Sequence, residues 1–211
     1  MKNAVKLLWA GLAIYLLTLG TAAAATYTEG VNYIKAKTEL PVKAPEGKVE
    51  VAEIFWYGCP HCYHLESTMA SYLAQKPANV EFTRVPATFD QWVVQARLYY
   101  IGRILDPDGT KNIHSKIFNT IHQQRRRINN DDAMRRFFKG AGFSDAEISA
   151  AMKDPSVPTL LNYAQQITSL SGIDSVPAII VNGKYITSPS MVSGNDELIK
   201  VVNYLTTLES R

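Results

Sequence analysis

Cysteine is scarce in this chain. Its 211 residues contain only two, Cys59 and Cys62, with two residues between them. A scaffold of several disulfides is therefore excluded. A bridge across so short a loop removes little entropy from the unfolded chain, so it would contribute little to folding. We expect this pair to serve chemistry.

Excess charge and repetition are also missing. The formal net charge is +3, from 22 basic and 19 acidic residues. The one dense cluster, Arg125-Arg126-Arg127, is explained by a solvated helix end, so we exclude nucleic acid as a partner. We find no internal repeat, low-complexity segment or long linker. The chain is therefore one domain, or one domain that carries an insertion.

The N-terminus predicts export. A basic start, Met1–Lys6, precedes an uncharged stretch over 7–20 and a run of small residues, Thr21–Ala25. This is the layout of a cleaved signal peptide over residues 1–25, so the mature chain starts near Thr26. An uncleaved anchor is the alternative, but the apolar core is shorter than the roughly 20 residues that a spanning helix needs. Export leads to a compartment in which disulfides persist.

The cysteines lie inside a predicted βαβ unit. Val49–Tyr57 is rich in β-branched and aromatic residues and predicts a largely buried strand. Apolar residues recur at helical spacing over Cys62–Gln75, and Val80–Val85 alternates as a second strand. The right-handed crossover of such a unit leaves the start of its helix at the carboxyl end of the first strand. Open α/β sheets place their sites there.

Helical patterning then continues over residues 90–171. Within it, Ser144 and Glu147 have the spacing of a capping box. We interpret the stretch as a helical domain inserted into the sheet domain.

The chain returns to strands after the helical stretch. Asn182-Gly183 separates two β-rich runs and is typical of a type I′ hairpin turn. A last helix is predicted to end at Leu208, with Asn195 or Asp196 as its cap.

The position of Cys59 favours an ionised sulfur. A thiol attacks a disulfide only as the thiolate, and free backbone N–H groups and the dipole at a helix N-terminus stabilise that anion. Pro60 suits the first helical position, and His61 can add charge or a donor. Cys62, one turn in, should be more buried and keep a normal or raised pKa. Cys59 then attacks, Cys62 resolves the mixed disulfide, and the stabilised thiolate makes the disulfide a stronger oxidant.

Other uses of the sulfurs stay open at this point. Zinc could draw on the two cysteines with His61 and His64, but structural sites normally take a second ligand pair from elsewhere. The remaining histidines, His114 and His122, are eight residues apart and fit no standard zinc motif. Haem attachment requires His directly after the second cysteine, where this chain has Tyr63. A purely structural short disulfide is the third alternative.

The motif Cys59-Pro60-His61-Cys62, together with Val176-Pro177 before a strand and Asn182-Gly183-Lys184-Tyr185 after it, resembles the DsbA-type thiol:disulfide oxidoreductases. The resemblance covers nearly all of the mature chain. It implies an α/β, thioredoxin-like fold with an inserted all-helical domain. The expected bounds are 26–89 and 172–211 for the thioredoxin-like domain and 90–171 for the insertion.

The resemblance also implies roles for single residues. Pro177 should follow a cis bond and face the cysteines, which turns the Val176 backbone toward an extended substrate. Glu53 matches a buried acid that relays protons; a solvent-facing Glu on an edge strand is the alternative. Glu66 matches a second acid, with simple exposure as the alternative. Three further candidates for an apolar substrate surface are Trp56, Tyr57 and Met191.

The implied function is donation of the Cys59-Cys62 disulfide to newly exported, reduced proteins in the periplasm. No cofactor beyond this redox-active disulfide is expected. A quinone-linked membrane protein of the DsbB type would reoxidise a monomeric protein. An exported reductase or isomerase is the nearest alternative, but such relatives commonly carry an N-terminal dimerisation domain, and the roughly 25 residues between the cleavage site and the first predicted strand are too few for one. A peptide-binding chaperone with incidental cysteines is the other alternative.

Overall fold

The computed structural model describes residues 26–210, so the predicted signal peptide over 1–25 lies outside the described residues. One mixed sheet is formed by β1 Ile34–Lys35, β2 Val49–Phe55, β3 Val80–Pro86, β4 Ala178–Val181 and β5 Tyr185–Thr187. The helices are α1 Pro60–Gln75, α2 Val93–Leu105, α3 Ile113–His122, α4 Asp131–Gly140, α5 Asp145–Met152, α6 Ser156–Ser171 and α7 Asn195–Glu209. Short 3-10 turns cover Asp90–Trp92 and Pro189–Met191. No helix within 26–210 is long and apolar enough to cross a bilayer.

Strand β2 is an interior strand of the sheet. The strand order is β1-β5-β4-β2-β3, with β2 parallel to β3 and antiparallel to β4. Every residue of β2 is buried, because both faces of the sheet are covered. The β2-α1-β3 unit confirms the predicted βαβ order, and it places the start of α1 just beyond the carboxyl end of β2.

The two faces of the sheet pack against different helices. Val49 and Val51 of β2 belong to a hydrophobic cluster with α1 and α7, whereas Ala52 and Ile54 belong to a larger cluster with the inserted helices. This split follows from the two-residue period of a strand. Glu53 therefore stands on a strand that has no solvent-facing side.

The inserted helices, α2 to α6, lie between β3 and β4 in the chain. They confirm a helical insertion, but as five helices with separate starts. Asn130 accepts a hydrogen bond from the Ala133 N–H at the start of α4, and Ser144 and Glu147 form the predicted capping box at α5. The exact domain bounds, 26–89, 172–211 and 90–171, stay a prediction.

Two predicted details are wrong and one element was missed. β2 ends at Phe55, two residues early, because the chain turns there and the Cys59 N–H donates to the Trp56 carbonyl at 3.0 Å. Helix α7 starts after Gly194 with no side-chain cap, so neither Asn195 nor Asp196 caps it. Strand β1 is only two residues long and carries no pattern that could have predicted it.

The predicted hairpin is present. Strands β4 and β5 pair antiparallel, and Asn182 and Gly183 both have positive φ, 49° and 67°. These are the signs of a type I′ turn. At Gly183 a Cβ would lie 2.5 Å from the Leu40 carbonyl oxygen, so only glycine fits there.

Candidate active site

The two cysteines occupy the first turn of α1. Cys59 is its N-cap and Pro60 its first residue, and the Cys62 N–H donates to Cys59 Sγ at 3.5 Å. Cys59 remains 7% exposed, whereas Cys62 is completely buried. Both are present as thiols. This geometry leaves Cys59 as the sulfur that a partner can reach.

The local environment gives the two thiols very different pKa values. The pKa of Cys59 is lowered from 9.0 to about 6, chiefly by the hydrogen bond from the Cys62 thiol, which with the N–H groups of Cys62 and His61 and the charge of His61 outweighs burial. Burial, and then donation to Cys59, raises the pKa of Cys62 well above its ordinary value. At neutral pH the pair is therefore one thiolate and one thiol that donates to it.

The loop before β4 reaches the reactive sulfur. The Val176–Pro177 peptide bond is cis. The Cys59 thiol lies 3.4 Å from the Val176 carbonyl oxygen, to which it donates in its neutral form. The junction between β2 and α1 thus meets a segment distant in the chain, the turn into β4, at Cys59.

Below the cysteines lies a buried acid. Glu53 is wholly buried, and its Oε2 accepts from Arg84 Nε at 2.9 Å, while Oε1 has no hydrogen-bond partner among the described residues. Burial raises the pKa of Glu53 to about 7, against the charge of Arg84. The alternative of a solvent-facing Glu on an edge strand is wrong, because β2 is an interior strand that pairs with both β3 and β4.

Sequence reasoning missed the partners of this acid. Arg84 of β3 also approaches Glu66, with Nη2 3.5 Å from Oε2. Glu66 is not simply exposed: its side chain retains 18% exposure and accepts from His114 Nε2 at 3.1 Å. Only the register that pairs Glu53 with Arg84 across β2 and β3 could have indicated the first contact.

Helix α3 holds the loop that leads into the motif. The Tyr57 hydroxyl lies 2.9 Å from His114 Nδ1, and His122 Nε2 donates to the Tyr57 carbonyl at 2.8 Å. The ring of His122 also stacks on Tyr63, with 4.9 Å between centroids. The spacing of eight that fits no zinc motif is instead two helical turns, which place both histidines against one tyrosine.

Aromatic side chains form a wall beside the site. Trp56 stacks on Trp92 with 4.2 Å between centroids, and the pair lines a groove of about 690 Å³ that continues to Gly58 and Arg127. Tyr57 is only 1% exposed, so it is not a surface contact.

The comparisons with known proteins decide the family. Residues 106–206 match the DsbA-like thioredoxin domain. The chain is 31% identical to the thiol:disulfide interchange protein DsbA of Pseudomonas aeruginosa, over 97% of this chain and 95% of that protein. With DsbA of Burkholderia cepacia the identity is 33%, over 92% and 94%.

The chain belongs to the DsbA family. The crystal structure of Pseudomonas aeruginosa DsbA superposes with a TM-score of 0.79 at 31% identity, covering 87% of this chain and 94% of that one. DsbA of Xylella fastidiosa gives 0.77 at 30%, covering 87% and 97%. The thioredoxin-like fold with a helical insertion is thereby confirmed.

Membership settles the reaction class. This DsbA-family protein is a thiol:disulfide oxidoreductase of oxidative protein folding, which acts on protein thiols through a redox-active cysteine pair. The reductase, isomerase and chaperone alternatives are not favoured. The two remaining histidines, His114 and His122, make hydrogen bonds with Glu66 and Tyr57.

Proposed function

We propose that Cys59 and Cys62 carry the reaction and that the protein donates their disulfide to reduced clients. A client thiolate attacks Cys59 Sγ, the Cys59–Cys62 bond breaks, and Cys62 leaves with the electron pair and takes a proton. A second client thiol then attacks the client sulfur of the mixed disulfide and releases Cys59. Two client thiols become one disulfide. The protein gains two electrons and, at neutral pH, one proton on Cys62, while Cys59 is released as the thiolate and the other client proton goes to solvent.

The observation that carries this direction is the placement of Cys59 Sγ at the start of α1. The hydrogen bonds that it receives there lower the pKa of Cys59 to about 6. A low-pKa thiolate is a good leaving group, which favours release of the oxidised client. The same stabilisation favours the reduced form of the protein, and hence an oxidising disulfide.

Supporting roles follow from the contacts around the pair. His61 supports the Cys59 thiolate through its backbone N–H and its charge, and Pro60 starts the helix without an N–H that needs a partner. The Val176 carbonyl and Pro177 offer an extended client a backbone acceptor beside Cys59. Glu53 exchanges the proton of Cys62, since a pKa of about 7 lets it act in both directions.

The setting that we propose is the periplasm, reached through cleavage of residues 1–25. The clients are reduced, unfolded exported proteins, and the protein acts as a monomer with no cofactor beyond the Cys59–Cys62 disulfide. A quinone-linked membrane oxidoreductase of the DsbB type takes the electrons. The family resemblance supports this partner, and failure of such membranes to reoxidise the protein would contradict it.

The first test is equilibrium with graded glutathione buffers, with the state of the pair read by alkylation. A potential well above that of a cytosolic reductant supports disulfide donation. A strongly reducing potential contradicts it and indicates a reductase that receives electrons from another protein.

The roles of the two sulfurs are separated by a matched pair of variants. Reduced Cys62→Ser protein keeps the attacking thiolate but has no resolving thiol, so it should accumulate a mixed disulfide with an oxidised test peptide. Reduced Cys59→Ser protein keeps only the buried, high-pKa sulfur and should form none at neutral pH. Equal trapping by both variants would contradict the assignment.

A further inference from the structure

A histidine of helix α3 contacts the buried acid cluster, and the proposed reaction gives this side chain no role. His114 uses both ring nitrogens: Nδ1 lies 2.9 Å from the Tyr57 hydroxyl and Nε2 lies 3.1 Å from Glu66 Oε1. The side chain is 18% exposed and lines a cavity of about 250 Å³ together with Glu66 and Arg84. A continuous set of contacts thus leads from this cavity to Glu53.

The hydrogen bonds fix the tautomer of His114. A carboxylate oxygen of Glu66 can only accept, so Nε2 carries the proton and Nδ1 accepts from the Tyr57 hydroxyl. Burial raises the pKa of Tyr57 well above its ordinary value, which keeps that hydroxyl available as a donor. Tyr57 therefore orients the one ring proton of His114 toward Glu66.

The cluster contains two carboxyls and one guanidinium. Arg84 donates to Glu53 Oε2 at 2.9 Å and lies 3.5 Å from Glu66 Oε2. If both carboxyls were ionised, one negative charge would remain uncompensated in a buried site, which is costly. One proton is therefore shared by the pair, and the pair titrates as a unit.

The contacts decide which carboxyl holds that proton. One oxygen of Glu66 accepts a hydrogen bond from His114 and the other faces Arg84, so both oxygens of the carboxylate are stabilised. Glu53 has Arg84 on one oxygen and no partner among the described residues on the other. Glu66 is the better place for the charge and Glu53 for the proton.

We propose that His114 is a positioning residue that holds Glu66 ionised and so keeps the shared proton on Glu53. This inference rests on the proposed role of Glu53 as the acid that exchanges a proton with Cys62. It adds a residue of the inserted helices to the machinery beneath the cysteines. Burial raises the pKa of Glu66, but the hydrogen bond from His114 and the charge of Arg84 act against burial, and that pKa is lowered.

The surroundings keep His114 neutral. Burial lowers its pKa, the hydrogen bond that it donates to Glu66 opposes this, and Arg84 and Arg103 lower it further. The ionisable groups that face it from the neighbouring elements are Tyr57, Glu66, Arg84, Tyr99, Arg103 and Asp106. The Asp106 carboxylate accepts from the backbone N–H groups of Lys111 and Ile113, so it is committed elsewhere.

The test compares His114→Asn with His114→Gln in the full-length mature protein labelled with ¹³C at the glutamate carboxyls. The glutamine amide nitrogen reaches the position of Nε2 and can still donate to Glu66, whereas the asparagine amide reaches only as far as Nδ1. NMR titration gives the midpoint of each carboxyl, and Glu53→Gln and Glu66→Gln assign the two resonances. Because the readout is carboxyl titration, it does not depend on turnover.

In His114→Asn we expect the Glu53 midpoint to fall by about one pH unit and that of Glu66 to rise, since a hydrogen bond to a charged group has been lost. His114→Gln should stay close to the unmodified protein, as should Ser115→Ala, a neighbour in the same cavity. Unchanged midpoints in the folded Asn variant, or equal shifts in both His114 variants, would overturn the proposal. If the midpoints move as expected but Glu53→Gln keeps full turnover, the assignment of His114 stands and the catalytic role of Glu53 fails.

Discussion

The acidity of Cys59 depends on the thiol of Cys62 more than on any other single group, and this gives a sharp prediction. The Cys62 thiol is the largest of the favourable influences on the pKa of Cys59, ahead of the two backbone N–H groups and the charge of His61. Replacing Cys62 with Ala removes this donor and leaves the helix N-terminus intact. Replacing it with Ser keeps an O–H donor in the same place.

The size of the effect follows from the total shift. The pKa of Cys59 falls from 9.0 to about 6. A hydrogen bond to a charged group contributes about 1.5–3 kcal/mol, or roughly one to two pH units, and a weakly donating thiol lies toward the lower end. We therefore expect the pKa of Cys59 in Cys62→Ala to rise by about one unit, to near neutrality. In Cys62→Ser it should stay close to that of the reduced native pair.

The assay is the ultraviolet absorbance of the thiolate as a function of pH, checked by the pH dependence of the alkylation rate. Both variants hold a single thiol, so each curve reports Cys59 alone. A Cys62→Ala midpoint equal to that of Cys62→Ser would refute the reasoning. It would mean that the backbone N–H groups and the helix dipole suffice to stabilise the anion.

Two further predictions concern stability. Because the folded pKa of Cys59, about 6, lies below its unfolded value, the thiolate stabilises the reduced protein fully above the unfolded pKa, and the effect is lost as pH falls through 6. At neutral pH this stabilisation amounts to roughly 1.4 kcal/mol. Urea unfolding of both redox forms should show that the free energy of unfolding of the reduced form rises relative to that of the oxidised form between about pH 5 and 9. A difference that stays constant over this range would contradict the low pKa of Cys59. Gly58→Ala would place a Cβ 2.3 Å from the Trp56 ring, so the stack on Trp92 must shift. In Gly58→Ala we expect the free energy of unfolding to fall by about 1–3 kcal/mol and the near-ultraviolet dichroism signal to change. Gly140→Ala, whose added Cβ meets no neighbouring heavy atom within 4 Å, should preserve both. An unaltered signal in Gly58→Ala would show that the stacked tryptophans accommodate a methyl group.

Local patterns account for much of what could be predicted about the fold. Asn182-Gly183 imposes its own turn because both residues tolerate positive φ. The side chains of Ser144 and Glu147 each accept a hydrogen bond from the other's backbone N–H within one helical turn. These signals need no knowledge of the rest of the chain. The missing cap at α7 and the short strand β1 show the limit, since Gly194 and a two-residue edge strand carry no comparable local preference.

By itself the sequence determined the chemistry: two cysteines around Pro60-His61 at a strand-to-helix junction require a helix N-terminus, and a helix N-terminus stabilises a thiolate. Only the tertiary structure decided which groups act on the buried acid. Arg84 faces Glu53 because β2 and β3 pair in one register, and His114 reaches Glu66 because α3 packs against α1. The reason is physical. The Cys59 thiolate is stabilised by the Cys62 thiol and by backbone N–H groups within a few residues of it, whereas a buried ionisable group takes its properties from the distant segments that exclude water around it.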